Sequence, residues 1–516
     1  MYTVANILRW RRSLVPDNPA ITDGGLHTSY RELDQASNRV ANALISAGLN
    51  RGERVCVLDV CHLGVFEVIF GIAKAGGVFT PINWRLAPAE IAYVIKDAAA
   101  SIVFVGGTIA PALAAAMVDC QEARVVTFSG SQKEAGWIDY TSFRDEGDTQ
   151  DPHRDAQEDE TVFQLYTSGT TGYPKGAELT NRGLCMGGTM CLSAFSPITE
   201  SDATLICMPL YHIAGAGYAI GMIFCGTRLV LLGQADPGAI LDLIEKERIN
   251  LTFLVPALIN FILQHPKCGE TDFSSLKYIA YGASPIPEEL LVASMRVFGC
   301  GFVQAYGLTE TTGGVVLLPN QDHYPGNPRL KSCGLPIFGH TVRIVDPMGK
   351  PCAPGDVGEI TINGGMVMKG YWNQPEANAQ NIRNGWFYTG DAGYMDEDGY
   401  VYIHDRVKDM IISGGENIYP AEVESALFAH AEVVDVAVIG IPDKKWGETV
   451  KAVVVRAPGS RLSEAALIEF CRERLAHFKC PTSVDFTETL PRNPSGKLLK
   501  RVLREPYWEG QQRQVH

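Results

Sequence analysis

The sequence predicts an α/β protein with three parts. These are a large N-terminal region of two βα-layered parallel-type sheets, a small β-barrel-like unit, and a small α+β C-terminal lobe. Three observations predict it. Up to about residue 330, short apolar runs alternate with longer amphipathic ones. After Lys331 the runs shorten and are separated by Gly, Pro and Asp turns. From Lys408 onward helical and strand patterns mix again over a length sufficient for a separate lobe. Alternation of the first kind means βαβ units and sheets covered on both faces.

In chain order, 55–58 reads as a strand, 64–74 as a helix, 78–82 as a strand, 88–98 as a helix and 101–105 as a strand. A polar, acidic stretch at 142–160 reads as a linker between the two sheets. The strand rhythm returns at 204–208, 228–232, 251–255 and 277–281, with helical patterns between. The short strands 341–345, 358–362 and 400–403 suggest an antiparallel unit. In the last lobe 422–428 and 464–476 are helical, and 434–439 and 450–455 are strands. The expected division is 1–406, with subregions of about 1–155, 156–330 and 331–406, followed by 407–516.

Composition narrows the function. With 46% hydrophobic and 20% charged residues the chain is not disordered. Its 52 Gly and 29 Pro follow no period, which excludes collagen-like and solenoid architectures. The net charge of −14 repels phosphate backbones, so nucleic acid is not an expected partner. A polyanionic ligand must be met by a local arrangement that overrides this charge. The 13 cysteines make no C-x-x-C and sit in apolar stretches, as reduced core residues of a cytoplasmic protein would. No stretch reaches the roughly 18 apolar residues of a membrane span.

The most informative segment runs Tyr166-Thr167-Ser168-Gly169-Thr170-Thr171-Gly172-Tyr173-Pro174-Lys175-Gly176, directly after the apolar run 162–165. Glycines let backbone N–H groups approach oxyanions, Ser and Thr add side-chain donors, and Lys adds charge. A triphosphate needs this combination. It is not a Walker A loop: counted from Gly169, Pro174 stands where the second glycine should be, and Gly176 follows the lysine.

This loop resembles the signature of the adenylate-forming superfamily, which includes acyl-CoA synthetases, peptide-synthetase adenylation domains and luciferases. Further motifs follow in the family's order: Tyr306-Gly307-Leu308-Thr309-Glu310, Tyr388-Thr389-Gly390-Asp391, Asp405-Arg406-Val407-Lys408-Asp409, Ser413-Gly414-Gly415-Glu416-Asn417, and Pro491-Arg492-Asn493-Pro494-Ser495-Gly496-Lys497. The resemblance covers almost the whole chain. It implies two half-reactions: a carboxylate attacks the α-phosphorus of ATP to give acyl-AMP and pyrophosphate, and a thiol, normally that of coenzyme A, then displaces AMP.

The resemblance also implies residue roles. Thr167, Ser168, Gly169, Thr170, Thr171, Gly172 and Lys175 would cradle the phosphates. Glu310, with Thr170, would ligate Mg²⁺, a hard cation that takes oxygen ligands. Thr309 would bond the α-phosphate. Gly282, Ala283, Ser284, Ala305, Tyr306 and Gly307 match the adenine pocket. Asp391 suits the ribose hydroxyls, because a carboxylate accepts from two donors, and Arg406 adds a second contact. Lys497 would bridge the carboxylate and the α-phosphate. His212 would orient the acid or gate the thiol, although a structural, hydrogen-bonded histidine fits the position as well. Lys408 matches a hinge. Ser413, Gly414, Gly415, Trp446 and Lys479 match the coenzyme A face. Tyr211, His212, Gly215, Gly217, Gly313 and Gly314 would line the acyl pocket, with the 257–264 helix as a further wall.

Tyr211-His212 lacks the aspartate that binds an amino acid's ammonium in peptide-synthetase domains, which turns the expectation to an acyl-CoA ligase. No Arg or Lys stands ready for a second carboxylate, so a hydrophobic monocarboxylate is expected. A medium- or long-chain fatty acid is favoured, ahead of an aromatic or polycyclic acid or the activity of a fatty acyl-AMP ligase. A non-enzymatic nucleotide or acyl-CoA sensor is the rival from another class. Expected partners are the acid, ATP and coenzyme A, with peripheral membrane contact and a homodimer left open.

Overall fold

The computed structural model describes residues 2–509 apart from 121, 129–135, 155, 168–173, 407–408, 415, 444 and 493–497, and apart from the side chains of 405, 406 and 417. It is a mixed α/β structure with two large sheets whose central strands are parallel.

In the first sheet the parallel core orders the strands Thr161–Thr167, Val78–Pro81, Arg54–Leu58, Ile102–Val105, Arg124–Thr127 and Ile138–Asp139. Lys175–Thr180 and then Gly370–Tyr371 extend it antiparallel at one edge. In the second sheet the parallel strands are Pro19–Asp23, Arg228–Leu231, Ala203–Ile206, Leu251–Leu254, Tyr278–Gly282 and Gly301–Leu308. Leu26–Ser29 closes one edge antiparallel, and Gly313–Leu318 and Leu335–Pro336 the other.

Sheet membership therefore interleaves along the chain. The polar 142–160 stretch leads from one strand of the first sheet to another, not from the first sheet to the second. Polar composition marks an exposed connection but carries no information about which sheet the next strand joins.

The helices Tyr30–Ser46 and Leu63–Ala75 lie in the interior between the sheets. Every residue from Val65 to Ala75 is buried, including Lys74. Its ammonium donates to Asp34 Oδ1 (2.6 Å), Asn38 Oδ1 (2.6 Å), Ser37 Oγ (2.9 Å) and the Asp34 carbonyl (3.1 Å). Burial alone would strip its proton, and these partners retain the charge.

The strands His340–Val345, Gly358–Gly364, Ile382–Arg383, Trp386–Met395 and Val401–Arg406 form the expected antiparallel unit. The C-terminal lobe packs the helices Pro420–Phe428 and Glu464–Arg472 on a sheet containing Val433–Asp443, Gly447–Arg456 and Ser483–Thr487. Where it meets the rest of the protein, His404 stacks on Tyr419 at 4.3 Å.

Candidate active site

Thr167 and Lys175 sit directly opposite each other in the antiparallel pair 161–167/175–180. The Thr167 hydroxyl donates to the Lys175 carbonyl at 3.4 Å. Both ends of the Gly- and hydroxyl-rich segment are thus pinned to the edge of the first sheet. Ser168, Gly169, Thr170, Thr171 and Gly172 lie outside the described residues. The Lys175 ammonium stands 5.3 Å from the centre of the Tyr371 ring.

Tyr371 in turn reaches Glu310. Its hydroxyl donates to Glu310 Oε1 at 2.8 Å, and the Met368 N–H bonds the Glu310 carbonyl at 2.7 Å. Glu310 is buried in the 3₁₀ turn Thr309–Thr311, and Thr309 opens that turn. Its second carboxylate oxygen has no hydrogen bond among the described residues. No group of three or more His, Cys, Asp or Glu among those residues is placed to hold a metal ion. A single carboxylate fits a cation held chiefly by phosphate oxygens and water, as Mg²⁺ on a nucleotide is.

Three strand ends meet where the nucleoside residues were expected. A Cβ on Gly282 would fall 2.1 Å from the Ala305 carbonyl oxygen, and one on Gly307 would fall 1.8 Å from that of Gly313. Only glycine permits these approaches. Ala283 has φ 66°, turning the chain at the strand's carboxyl end towards Ser284. This is the edge at which open α/β sheets bind ligands. The Tyr306 hydroxyl donates to Asp391 Oδ2 at 2.8 Å, and both residues are buried. Asp391 pairs through its backbone with Arg406, whose side chain lies outside the described residues. Tyr306 therefore ties the second sheet to the antiparallel unit and orients the carboxylate.

Beside these residues opens an apolar cavity of about 80 Å³. His212, Gly217, Gly313 and Gly314, four of the residues expected at the acyl pocket, line it, together with Gly307 and Thr312. Its aromatic walls are Phe195, Tyr218 and Phe253. One turn beyond Tyr218, Gly221 meets Cys191 so closely that a Cβ would come within 2.8 Å of the sulfur. This contact packs the helices Asn181–Ala194 and Ile213–Cys225 together beside the cavity.

Three expectations for this pocket are corrected. Gly215 is not a lining residue; its Cα packs on the Pro209 and Met208 carbonyls, where a Cβ would clash at 2.2 and 2.5 Å. Tyr211 is not among the lining residues; its hydroxyl accepts a hydrogen bond from Arg85 (3.1 Å). The helix Pro256–Gln264 uses its apolar face, Leu258, Ile259 and Ile262, in the core instead.

His212 caps the helix Ile213–Cys225, its Nδ1 accepting from the Ala214 N–H at 3.2 Å. That bond leaves the ring proton on Nε2 in the neutral form, next to the positive end of the helix dipole. The capping and orienting roles are therefore compatible. A wider, open depression of about 860 Å³ lies elsewhere, lined by Asp17, His27, Glu32, Arg228 and Glu247. It contains none of the motif residues, and Arg228 pairs with Glu247 at 2.7 Å.

On the C-terminal lobe Ser413, Gly414 and Trp446 cluster. Ser413 pairs with Gly447, and the Gly414 N–H bonds the Trp446 carbonyl at 2.8 Å. Gly414 has φ 61° and the indole stacks where its Cβ would be, at 2.7 Å. Trp446 is about half exposed, so it is a surface residue of the lobe and not core. Lys479 is engaged by both oxygens of Glu422, at 2.7 and 2.8 Å, so a phosphate would have to compete with an ion pair already formed. Gly415, Lys408 and Lys497 lie outside the described residues. All 13 cysteines are free, and no described helix is long and apolar enough to cross a membrane.

Sequence reasoning missed Tyr371, Arg85, Phe195 and Phe253. Tyr371 comes to Glu310 because Gly370–Tyr371 pairs with 177–178, far away in sequence. Phe195 and Phe253 belong to apolar runs whose cavity-facing side is set only by packing.

The geometry brings together the pinned ends of the Gly- and hydroxyl-rich segment at a sheet edge, a buried carboxylate, strand ends that only glycine brings so close, and an apolar cavity, an arrangement that suits an adenylate-forming enzyme. Comparison with known proteins agrees. The family model of AMP-binding enzymes matches residues 8–372, and that of the AMP-binding enzyme C-terminal domain matches 422–497. The chain is similar to a fatty acid–[acyl-carrier-protein] ligase, ScoC, of Streptomyces coeruleorubidus (38% identity, covering 97% of this chain and 96% of the relative). It is similar to a feruloyl-CoA synthase of an Amycolatopsis species (38%; 96% and 97%). A solved structure of the anthranilate CoA ligase AuaEII with anthranoyl-AMP superposes with a TM-score of 0.91 (25%; 98% and 97%). The chain belongs to the AMP-binding enzyme family. Within it, this is an ATP-dependent, AMP-forming acid–CoA ligase of the acyl-CoA synthetase branch.

Proposed function

We propose that the protein activates a compact hydrophobic monocarboxylic acid as its acyl-AMP and passes the acyl group to coenzyme A, with a ring acid favoured over a long alkyl chain. The cavity carries this reading. It is small, about 80 Å³, and walled by three aromatic rings, whereas pockets for drug-sized ligands run to about 300–1,000 Å³. Flat rings stack on such walls at little entropic cost. A medium-length fatty acid is the second reading, since Met190, Cys191 and Leu317 add flexible apolar surface to the same walls.

In this scheme the acid's ring enters the cavity and its carboxylate stops near His212 Nε2 and the N-terminus of the helix Ile213–Cys225. The segment 167–175 binds the phosphates. Glu310, oriented by Tyr371, and Thr170 would hold Mg²⁺, which would supply charge neutralisation on the phosphates. Thr309 donates to the α-phosphate. Asp391, held by Tyr306, accepts from the ribose, with Arg406 beside it. Lys497 bridges the attacking carboxylate and the α-phosphate, contributing about 10²–10³ in rate through charge developed in the transition state. Residues 407–516 form a lobe that turns about Lys408 to bring Ser413, Gly414, Gly415 and Trp446 to the thiol, with Lys479 exchanging Glu422 for a coenzyme A phosphate. The free thiols suit the cytoplasm.

The test is AMP release over a panel of ring and alkyl acids, each with and without coenzyme A. AMP formation that requires the thiol for turnover supports the ligase reading; ADP, or no nucleotide product with any acid, refutes it. Lys497→Ala is expected to abolish acid-dependent ATP–pyrophosphate exchange while supplied acyl-AMP still yields thioester. Lys408→Pro is expected to spare exchange and block turnover with coenzyme A.

A further inference from the structure

One helix grips both ends of the Gly- and hydroxyl-rich segment. The helix Pro88–Asp97 buries Ile91, Ala92, Val94 and Ile95 in a core shared with Cys56, Leu58, Val103 and Val105 of the first sheet. That packing fixes its last turn, where Tyr93 and Asp97 lie one turn apart on the same face. The Tyr93 hydroxyl donates to the Pro174 carbonyl at 3.2 Å, at one end of the segment. Asp97 Oδ2 accepts from the Tyr166 hydroxyl at 2.6 Å, at the other end. Neither bond follows from the strand pairing that already sets Thr167 opposite Lys175. The same turn is held from a third side. The Trp372 indole N–H donates to the Asp97 carbonyl at 2.9 Å, and the Trp372 backbone N–H bonds the Gly176 carbonyl at 2.8 Å. The Arg54 guanidinium lies 3.4 Å from the centre of the Trp372 ring and donates to Gln164 Oε1 at 2.9 Å. Gln164 Nε2 in turn donates to the Tyr166 hydroxyl at 3.0 Å. The contacts close a circuit from Asp97 through Tyr166, Gln164, Arg54 and Trp372 back to Asp97.

We infer that Tyr93, Asp97 and Tyr166 are positioning residues for ATP, which hold the two ends of the phosphate-binding segment in the geometry a triphosphate requires. The inference rests on the phosphate-binding reading of 167–175 and adds what sets that segment's geometry. Donors that are already ordered bind a polyanion more tightly than donors that must be ordered on binding. An antiparallel pair at a sheet edge is free to twist, and two bonds to one packed helix remove that freedom. Both bonds come from side chains of the helix, so they respond to single-atom substitutions that leave the strand pairing intact. Trp372 follows Tyr371, whose hydroxyl orients Glu310, so the circuit also fixes the phosphate-binding segment relative to the buried carboxylate.

The experiment measures, by calorimetry on the full chain, the Kd of Mg²⁺–ATP and of AMP in wild type, Tyr93→Phe, Tyr166→Phe, Asp97→Ala and Asp97→Asn. AMP lacks the β- and γ-phosphates and so reports the nucleoside residues, whereas ATP reports the phosphate segment as well. Tyr93→Phe and Tyr166→Phe are each expected to weaken ATP about three- to tenfold, and Asp97→Ala about tenfold or more, with AMP changed less than about twofold. Asp97→Asn keeps an acceptor oxygen for Tyr166 and is expected to stay within about threefold of wild type. A structural role alone would weaken both nucleotides together or neither. Equal losses for ATP and AMP therefore overturn the inference, as do ATP affinities within about twofold of wild type in both phenylalanine variants. Those two variants each lose a single oxygen, so they decide the matter even where Asp97→Ala fails to fold. Lys175→Met separates the inference from the reading beneath it. If Lys175→Met weakens ATP and the helix variants do not, the phosphate-binding reading stands and the positioning roles fall; if Lys175→Met binds ATP as wild type does, both fall.

Discussion

Replacing Tyr371 with phenylalanine removes the hydroxyl that orients Glu310. The hydroxyl donates to Glu310 Oε1 at 2.8 Å inside a buried pocket. The rest of Tyr371 is fixed independently: its backbone pairs with Ala177, and its N–H bonds Asn378 Oδ1 at 2.6 Å. The ring should therefore stay in place, still beneath the Lys175 ammonium. A hydrogen bond to a charged acceptor contributes about 1.5–3 kcal/mol, and about 1.4 kcal/mol is tenfold in rate or affinity. If Glu310 is the cation ligand, loosening it costs about 10- to 150-fold, concentrated in the Mg²⁺ dependence. The assay is acid-dependent ATP–pyrophosphate exchange titrated with Mg²⁺. The half-saturating concentration should rise, and Glu310→Gln should raise it further. A folded Tyr371→Phe protein with an unchanged Mg²⁺ titration would refute the assignment of Glu310 and its orientation by Tyr371.

Gly217→Val places methyl groups against Ile213, whose Cδ1 lies 2.9 Å from the first added carbon; KM for the acid should rise about tenfold with KM for ATP unchanged in the same exchange assay. Lys74→Met leaves the buried Asp34 with Arg12, at 3.4 Å, as its ion-pair partner among the described residues, and should lower stability by about 3–5 kcal/mol in urea unfolding. His323 donates from Nδ1 to the Pro319 carbonyl and accepts at Nε2 from Tyr281; burial depresses its pKa from 6.5 to about 4. The unfolded chain therefore takes up a proton first as pH falls. This contribution is full above pH 6.5 and is lost towards pH 4, to about 3 kcal/mol in all. His323→Asn should make the pH slope of stability in that window shallower by one proton.

Much of this architecture was legible because local pattern and tertiary role coincide. The apolar runs at 55–58, 78–82 and 251–255 could only be buried strands, and they are. The helix over 64–74 was equally legible, although pattern alone did not foretell that Lys74 would be enclosed with it. Pairing across long separations was not legible. That 19–29 joins the sheet of 203–308, or that Tyr371 reaches Glu310, depends on which edges remain open once neighbouring strands have paired. The apolar cavity was half legible: glycines at 217, 313 and 314 marked space, but the faces that Phe195, Tyr218 and Phe253 present are decided by how the helices pack on the sheet. Gly215 misled for the same reason, since a glycine that serves close backbone contact looks in sequence like one that opens a cavity.

The interleaved sheets have a consequence for biosynthesis. The strand Pro19–Asp23 leaves the ribosome early but finds its parallel neighbour only in Arg228–Leu231. Some two hundred residues must be made before that edge is covered, and the edge beside Lys175 stays open until Gly370–Tyr371 arrives. Nascent chains carry unpaired edges of this kind as aggregation hazards. Cutting the gene anywhere between these partners would yield two pieces that each lack a strand held by the other. Co-expressed halves divided near residue 150 should therefore recover function only by reassembling, and neither should stay in solution alone.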